Sequence, residues 1–258
     1  MKQKLYSLLN QLDLYDYLKI FKDRFFKNEK EKVSEQKRIN FYSELIKKDD
    51  LCFDIGANYG NRSEIFLKLG AKVVAFEPQP KPLKFLKRKF KDTIKIEDVA
   101  LGSKPGKSNL FISSASTLTS MSEEWIDEVK TSRFKQANWS DKIEVEVTTL
   151  DIMIDKYGKP DFCKIDVEGF EFEVLKGLTQ SIGTLSFEFT IPEFVDKAID
   201  CVNYLNNLGQ IVCNYSSGET LIFALNEWLN PTDFIKLFNT LPNKGIVDGD
   251  IYIKFLDM

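Results

Sequence analysis

The segment Phe53-Asp54-Ile55-Gly56-Ala57-Asn58-Tyr59-Gly60 decides the fold, because it joins an apolar run to an amphipathic run through two glycines. The residues 51–55 have the length and composition of a buried strand, and 61–69 repeats apolar residues at helical spacing. Glycines between a strand and a helix allow a tight turn and a close approach of the backbone to a ligand. The GxxxG spacing differs from the GxGxxG of dinucleotide-binding turns. The sequence therefore predicts a ligand site at this turn.

Outward from this turn, strands alternate with helices. The pattern predicts further strands over 72–76, 94–99, 162–167, 184–191, 210–215, 220–225 and 250–256. It predicts helices over 81–91, 150–157, 171–178, 193–207 and 231–239. Residues 107–149 are predicted to form an irregular insertion with strands 109–112 and 143–148, a Ser/Thr-rich loop 113–122 and a helix 123–131. Such alternation favours a doubly wound, mostly parallel α/β sheet that binds ligands at the carboxyl ends of its strands.

The composition excludes several classes of function. The chain has 258 residues, a net charge of -3 and no histidine, so a Ser-His-Asp triad, an HExxH zinc site and a histidine general base are excluded. Residues 1–107 hold 24 basic against 15 acidic residues, but the densest basic run, 81–91, is typical of the solvated face of an amphipathic helix. The slightly acidic total argues against a dedicated nucleic-acid binder. Four scattered cysteines indicate reduced thiols in a cytoplasmic protein, and neither a membrane span nor a secretion signal is predicted.

Residues 1–49 are predicted to form a helical N-terminal extension that packs on the main domain or caps its site. The charged segment 28–37 is predicted to be a hinge or frayed turn, followed by a helix over about 34–48. The division is therefore an extension, 1–49, and one domain, 50–258. The apolar stripe on helix 14–26 fits either a homodimer surface or a lid, so the oligomeric state stays open.

Acidic residues follow three successive predicted strands. Asp54 would repel a pyrophosphate but attract an ammonium group, and Glu77 lies where an acid can accept both ribose hydroxyls. Asp98 is placed to meet an adenine amino group. Together these residues describe a nucleoside with a cationic amino-acid tail. The sequence thus predicts S-adenosylmethionine as the cofactor, rather than NAD.

The sequence resembles the FkbM family of S-adenosylmethionine-dependent methyltransferases. The resembling residues are DIGANYG (54–60), VVAFEPQP (73–80), VALG (99–102), VTTLD (147–151) and KIDVEGFEFEVLKG (164–177). The resemblance implies a Rossmann-like class I methyltransferase fold: a seven-stranded sheet in the order 3-2-1-4-5-7-6 with strand 7 antiparallel. It also implies O-methylation of sugar hydroxyls or other small molecules. Cofactor contacts are then expected at Asp54, Gly56, Ala57, Asn58, Tyr59, Gly60, Glu77, Pro78, Asp98, Val99 and Asp166.

Three carboxylates are candidates for removing the proton of the acceptor. Asp166 ends the fourth strand of that topology, Glu168 lies in the turn after it, and Glu188 lies near the end of the fifth. Burying a charged carboxylate in a central strand costs free energy unless the group is functional or has a partner. The alternatives to a catalytic role are a helix cap for Asp166, an acid favoured by the helix dipole for Glu168, and a partner of Lys164 for Glu188. The 113–122 loop is expected to border the acceptor through Ser116 or Thr117, and no metal-ligand motif is present. Trp125, Trp139 and Tyr59 are candidates for stacking on a sugar.

Three competing functions remain open. A ribose 2′-O-methyltransferase acting on RNA would use a Lys-Asp-Lys-Glu set, which Lys164, Asp166 and Glu188 match in part. Enzymes that methylate amino groups of DNA carry (D/N)PPY where this chain has Asp166-Val-Glu-Gly, so that function is excluded. A non-catalytic subunit that binds S-adenosylmethionine and an NAD-dependent oxidoreductase are the remaining alternatives.

Overall fold

The computed structural model of the protein describes residue 20 and residues 26–256. The predictions for 1–19 and 21–25, including most of the apolar stripe on helix 14–26, lie outside the described residues. Within the described residues, no helix is long and apolar enough to cross a membrane.

The central sheet has seven strands in the order β3-β2-β1-β7-β8-β10-β9. β10 runs antiparallel to both of its neighbours, while the other pairs are parallel. This confirms the predicted topology, including the antiparallel last strand. The strands are β1 (Leu51–Ile55), β2 (Lys72–Phe76), β3 (Lys95–Glu97), β7 (Phe162–Ile165), β8 (Thr184–Thr190), β9 (Ile211–Ser217) and β10 (Asp248–Phe255).

The insertion after β3 forms a second, three-stranded sheet in the order β4-β6-β5. Its strands are β4 (Ala100–Leu101), β5 (Gly106–Ile112) and β6 (Asp141–Thr148). Within residues 26–256 the helices are α1 (Glu29–Tyr42), α2 (Asn61–Lys68), α3 (Pro80–Phe90), α4 (Glu123–Ser132), α5 (Leu150–Tyr157), α6 (Glu171–Leu175), α7 (Val195–Leu208) and α8 (Pro231–Phe238), with 3-10 turns at Ser116–Leu118 and Pro242–Lys244.

Apolar side chains on the two faces of the central sheet form two cores. Phe53, Ile165 and Phe187 belong to the core on one face, which α5 to α8 cover. The opposite face carries Cys52 and Phe162, and there the core includes Phe41 and Tyr42 at the end of α1, together with α2 and α3. The alternation of β8 matches the sequence, since Leu185, Phe187, Phe189 and Ile191 share the first core.

α1 contradicts the prediction of a hinge over 28–37. Asn28 caps the helix by accepting from the backbone N–H of Glu31, whose side chain in turn accepts from the N–H of Asn28. This capping box satisfies two of the N–H groups that a helix leaves without partners at its start. The charged run is therefore the first half of a helix that ends at Tyr42, earlier than predicted.

The predicted strand 220–225 is wrong. Leu221 has a φ of 55° and Ile222 is 68% exposed, which no paired strand of this sheet would show. The side chain of Asn214, on β9, bonds the backbone N–H and C=O of Leu225 and takes the place of a neighbouring strand. The apolar composition of 220–225 reflects side chains such as Phe223, which packs on Phe41 and Tyr252.

Candidate active site

A cavity of about 250 Å³ opens beyond the carboxyl ends of β1, β2 and β7. Turns after these strands form its floor, and the loop that follows β5 forms one wall. α1 and the turn after β9 contribute Arg38 and Glu219. Of the predicted cofactor contacts, those that line the cavity are Asp54, Gly56, Ala57, Asn58, Tyr59, Glu77, Pro78, Val99 and Asp166.

The glycine turn after β1 is shaped by its contact with the end of β7. Gly56 has a φ of 77°, and a Cβ at this position would lie 1.9 Å from the backbone oxygen of Asp166. Only glycine fits such a close backbone approach in the left-handed region. The turn therefore brings the ends of β1 and β7 together at the cavity.

Asp54 is a buried carboxylate at the end of the cavity formed by β1 and β7. It is 2% exposed, and the Ser63 hydroxyl of α2 donates to it. Burial raises the pKa of Asp54, while Ser63, Lys164 and Arg62 act in the opposite direction. The ammonium group of a ligand, bound at this carboxylate, would compensate for the cost of burying its negative charge.

Glu77 lies at the other end of the cavity and is held in a fixed orientation. Its two carboxylate oxygens accept from the backbone N–H groups of Asn58 and Gln79, both at 2.7 Å. Burial outweighs these bonds and raises the pKa of Glu77 to about 7. Each oxygen keeps a further lone pair, so the pair of oxygens can accept from the two hydroxyls of a ribose.

Two predicted cofactor contacts lie away from the cavity lining. Asp98 is exposed, and its neighbour Val99 lines the cavity instead, because successive residues of extended backbone point to opposite sides. Gly60 begins α2 with a φ of 72°, and a Cβ there would lie 2.4 Å from the ring of Phe90. The geometry thus gives Gly60 a packing role against α3 and places Asp98 outside the cavity lining, and contact of Asp98 with the cofactor stays a prediction.

The three candidate bases come together. Carboxylate oxygens of Asp166, Glu168 and Glu188 all lie within 4.8 Å of one another. Burial and then the neighbouring carboxylates raise the pKa of Glu168 and of Glu188 well above the usual range. A carboxylate with a raised pKa is a stronger base than an ordinary one, and the oxygens of this cluster are close enough together to hold a divalent cation.

Lys164 pairs with Asp166 rather than with Glu188. Its buried ammonium lies 3.2 Å from Asp166 and 2.8 Å from Asp250 on β10. Burial alone would lower the pKa of Lys164, but the two aspartates outweigh it and raise the pKa above its ordinary value. Since Lys164 is 1% exposed and is held between these two carboxylates, its ammonium is not offered to a ligand.

The polar loop 113–122 borders the cavity, and its predicted contact with the acceptor stays a prediction. Ser116 donates to the side chain of Asn58 at 3.3 Å, and Ser120 donates to the backbone oxygen of Glu168 at 2.6 Å. Thr117 also lines the cavity. The loop therefore joins the cofactor turn to the carboxylate cluster.

Of the three aromatic candidates for stacking on a sugar, only Tyr59 lines the cavity. Trp125 is buried against Gly169, and the Trp139 indole donates to the backbone oxygen of Leu118. Both tryptophans thus have packing roles in the structure.

Sequence reasoning missed three polar groups near the site. Glu171, at the start of α6, is buried and accepts from the N–H groups of Val167 and Gly169, both at 3.2 Å. These bonds hold the turn that carries Glu168, whose φ is 53°. Arg38 and Glu219 reach the cavity only through tertiary packing, so no local pattern could have indicated them.

The strand order and the acid-lined cavity define a class I methyltransferase. Residues 54–212 match the Methyltransferase FkbM domain. The chain belongs to the FkbM family and is an S-adenosylmethionine-dependent methyltransferase. Comparison with curated proteins gives no match.

Solved methyltransferase structures show weaker likeness. Precorrin-6y C5,15-methyltransferase from Geobacter metallireducens is 14% identical, with a TM-score of 0.41 over 84% of this chain and 86% of that chain. A TehB-like methyltransferase from Corynebacterium glutamicum is 10% identical, with a TM-score of 0.44 over 85% and 87%. An rRNA methylase from Streptococcus thermophilus is 11% identical, with a TM-score of 0.39 over 90% and 99%.

The cavity has the groups that S-adenosylmethionine requires. Glu77 can accept from the ribose, and Asp54 can accept from the ammonium of the methionine part. Apolar residues of the same lining, among them Phe76, Val99 and Leu101, offer a surface for the adenine ring. Neither Asp54 nor Glu77 forms a salt bridge with any residue in 26–256, so these two buried carboxylates suit a ligand that brings its own donors.

Proposed function

We propose that the protein transfers a methyl group from S-adenosylmethionine to a hydroxyl group of a saccharide or another small-molecule acceptor. The observation that carries this proposal is the cluster of Asp166, Glu168 and Glu188 beside the cofactor cavity. When bound, S-adenosylmethionine would supply a methyl group on a sulfonium. An acceptor oxygen aligned behind that methyl would form the O–CH3 bond as the S–CH3 bond breaks, with S-adenosylhomocysteine as the leaving group. The acceptor oxygen becomes more nucleophilic as it loses its proton, and a nearby carboxylate is suited to take that proton.

Within the cluster the three acids have different roles. Asp166 pairs with Lys164, whereas burial and the neighbouring carboxylates raise the pKa of Glu168 and of Glu188, so each of these two holds a proton more strongly than an ordinary carboxylate. Glu168 or Glu188 accepts the hydroxyl proton, with Asp166 held beside them by Lys164. Hydroxyl groups of Ser116 and Thr117 line the same cavity and can bond further hydroxyls of an acceptor.

The ribose of RNA is the second candidate acceptor, and the contact between Lys164 and Asp166 at 3.2 Å favours it. An RNA 2′-O-methyltransferase of the Lys-Asp-Lys-Glu type needs a lysine that reaches the ribose. Lys164 is buried and is held between Asp166 and Asp250, which supports the small-molecule acceptor.

The proposal is tested by supplying S-adenosylmethionine with a labelled methyl group and a panel of saccharides, hydroxylated small molecules and RNA oligonucleotides. We expect label on an oxygen of a saccharide or small molecule, located by mass spectrometry. Label on RNA alone, or on nitrogen, would contradict the proposal. The same reactions with EDTA show whether the carboxylate cluster needs a cation, and absence of transfer to every acceptor would favour a non-catalytic subunit.

A further inference from the structure

Two arginines line the cavity near Asp54. Arg62, on α2, forms an ion pair with Glu219 at 2.7 Å and lies 5.9 Å from the ring centre of Tyr42. Arg38, on α1, is half-buried and has no ion pair or hydrogen bond with any residue that the structure describes. The Nε atoms of both arginines are buried without a hydrogen-bond partner in that part of the chain.

A partly buried guanidinium in the cavity lining is stabilised by a bound anion. Removing a charge from water is costly unless an opposite charge or hydrogen bonds compensate for it. Glu219 compensates for the charge of Arg62 only in part. The Glu219 side chain is 68% exposed, so solvent screens its interaction with Arg62. Arg38 has no such compensation among residues 26–256 and lines the cavity, so its guanidinium is placed to bind an anionic ligand there.

The arrangement of charges indicates which anion fits. Arg62 is close enough to Asp54 to favour the ionised form of that carboxylate. Acidic and basic groups thus line the same cavity: Arg62 acts electrostatically on Asp54 and Asp166, and Arg38 adds a second guanidinium to the lining. An α-amino acid carries its ammonium and its carboxylate on the same carbon. A site that binds an α-amino acid therefore needs an acidic group for the ammonium and a basic group for the carboxylate, placed close together.

We propose that Arg38 and Arg62 together bind the carboxylate of the methionine part of the cofactor, so that α1 is one wall of the cofactor site. Arg38 lies outside the segment 54–212 that matches the family domain, so this wall is an addition made by the N-terminal extension. The proposal rests on the cofactor that the family uses, and it holds whatever the methyl acceptor is. An arginine suits this role because its planar group can form two parallel hydrogen bonds with a carboxylate.

The test compares two ligands that differ in the amino-acid tail. S-adenosylhomocysteine carries the carboxylate, whereas 5′-methylthioadenosine has the same nucleoside and sulfur but no amino acid. For Arg38→Gln we expect binding of S-adenosylhomocysteine to weaken about tenfold, as the loss of a charge-assisted hydrogen bond implies. Binding of 5′-methylthioadenosine should stay within about twofold, which also shows that the variant is folded. Titration calorimetry on the full chain measures both.

Lys37→Gln is the matched control, because Lys37 is the exposed neighbour on the same helix and does not line the cavity. It should leave both affinities unchanged, which separates a specific contact from a general loss of positive charge. An equal loss for both ligands in Arg38→Gln would overturn the proposal. It is also overturned if affinity for S-adenosylhomocysteine is unchanged while only saturation by an acidic acceptor is impaired, since Arg38 would then serve the acceptor. Neither measurement depends on methyl transfer, so failure of the proposed function would be seen separately.

Discussion

Glu77 shows how a single buried carboxyl can be prepared for a ligand. Burial favours the protonated form and raises its pKa to about 7, while two backbone N–H groups fix the direction of both oxygens. Two ribose hydroxyls would add donors to the same oxygens and would favour the ionised form. Binding of the cofactor is therefore expected to lower the pKa of Glu77 and to release a proton.

We predict that the affinity for S-adenosylhomocysteine increases as the pH rises from about 6 to about 8, by at most about tenfold per unit. Below its pKa of about 7, Glu77 must lose a proton before both oxygens can accept. Glu77→Gln should bind more weakly and lose this pH dependence. Asp98→Asn is the control, since Asp98 is exposed and away from the cavity lining, and it should behave as the wild type. Calorimetry in two buffers would measure affinity and proton release, and an affinity of the wild type that does not change with pH would contradict the prediction.

Glu168 and Glu188 belong to a different step from Glu77. We predict that Glu168→Gln or Glu188→Gln lowers kcat about a hundredfold, the usual scale of general-base catalysis, while the Kd of S-adenosylhomocysteine changes less than about twofold. Because the two carboxyls are neighbours, the double variant should cost little more than the worse single variant. Glu173→Gln is the control, since that residue pairs with Lys176 outside the cluster. Full rates in both single variants would mean that alignment of the acceptor carries the reaction without a carboxylate base.

At the scale of the elements, sequence patterns succeeded where one local rule decides the structure. The strands β1, β2 and β8 and the helices α3 and α5 follow directly from apolar periodicity. Two predictions failed because side-chain hydrogen bonds outweighed composition. Asn28 starts a helix within a charged run, and Asn214 occupies the edge where an apolar run was expected to pair.

The site divides in the same way. Asp54 lies near the end of β1, and Glu77 and Asp166 directly follow β2 and β7, so their meeting at one edge of the sheet follows from the parallel topology. Asp98 lies away from the cavity lining because its position relative to the pleat decides which side it faces, and its role as a cofactor contact stays a prediction. Arg38 and Glu219 come from elements far from the motifs, and only the packing of α1 and the end of β9 brings them to the cavity.

The glycine turn after β1 gives a prediction about backbone approach. Gly56 and Gly245 have similar φ angles, 77° and 72°, so alanine at either position costs about 1–2 kcal/mol of left-handed strain. A Cβ at Gly56 also meets the backbone of Asp166, whereas one at Gly245 has nothing within 4 Å. We expect Gly56→Ala to lower the free energy of unfolding by at least about 3 kcal/mol and Gly245→Ala by only the strain. Urea unfolding measures both, and equal losses would show that the contact with Asp166 relaxes at no cost.

At the scale of the whole molecule, α1 is bound to the methyltransferase core by both ion pairs and packing. Glu35 pairs with Lys27 and Lys68, and Glu64 of α2 pairs with Lys27, Lys68 and Lys89. Phe41 and Tyr42 complete the aromatic core against α2 and β7. The proposed boundary between residues 49 and 50 therefore lies within a continuous packed core, so the extension and the domain are expected to unfold together.

The buried carboxyls set how the stability of the ligand-free protein depends on pH. Burial raises the pKa of Glu77 and of Glu171 to about 7, compared with an ordinary value of 4.5. Between these values the folded protein keeps protons that the unfolded chain has released, so the free energy of unfolding falls as the pH rises through this window. On the acid side, ion pairs with lysines outweigh burial and lower the pKa of Glu64 to about 2. That contribution is complete above 4.5 and is lost as the pH falls below it.

We therefore predict that the Tm of the ligand-free protein is highest near about pH 5 and decreases toward about pH 8. Replacing Glu77 and Glu171 by Gln should flatten the decrease, because glutamine has no proton to lose, whereas Glu173→Gln should leave the slope unchanged. S-adenosylhomocysteine should raise the Tm more at about pH 8 than at about pH 5, since its ribose compensates for the charge on Glu77. Calorimetric scans across this range test the prediction. A Tm that increases from pH 5 to pH 8 would mean that the buried carboxyls are ionised at little cost in the folded protein. A bound ligand would then have no such cost to compensate.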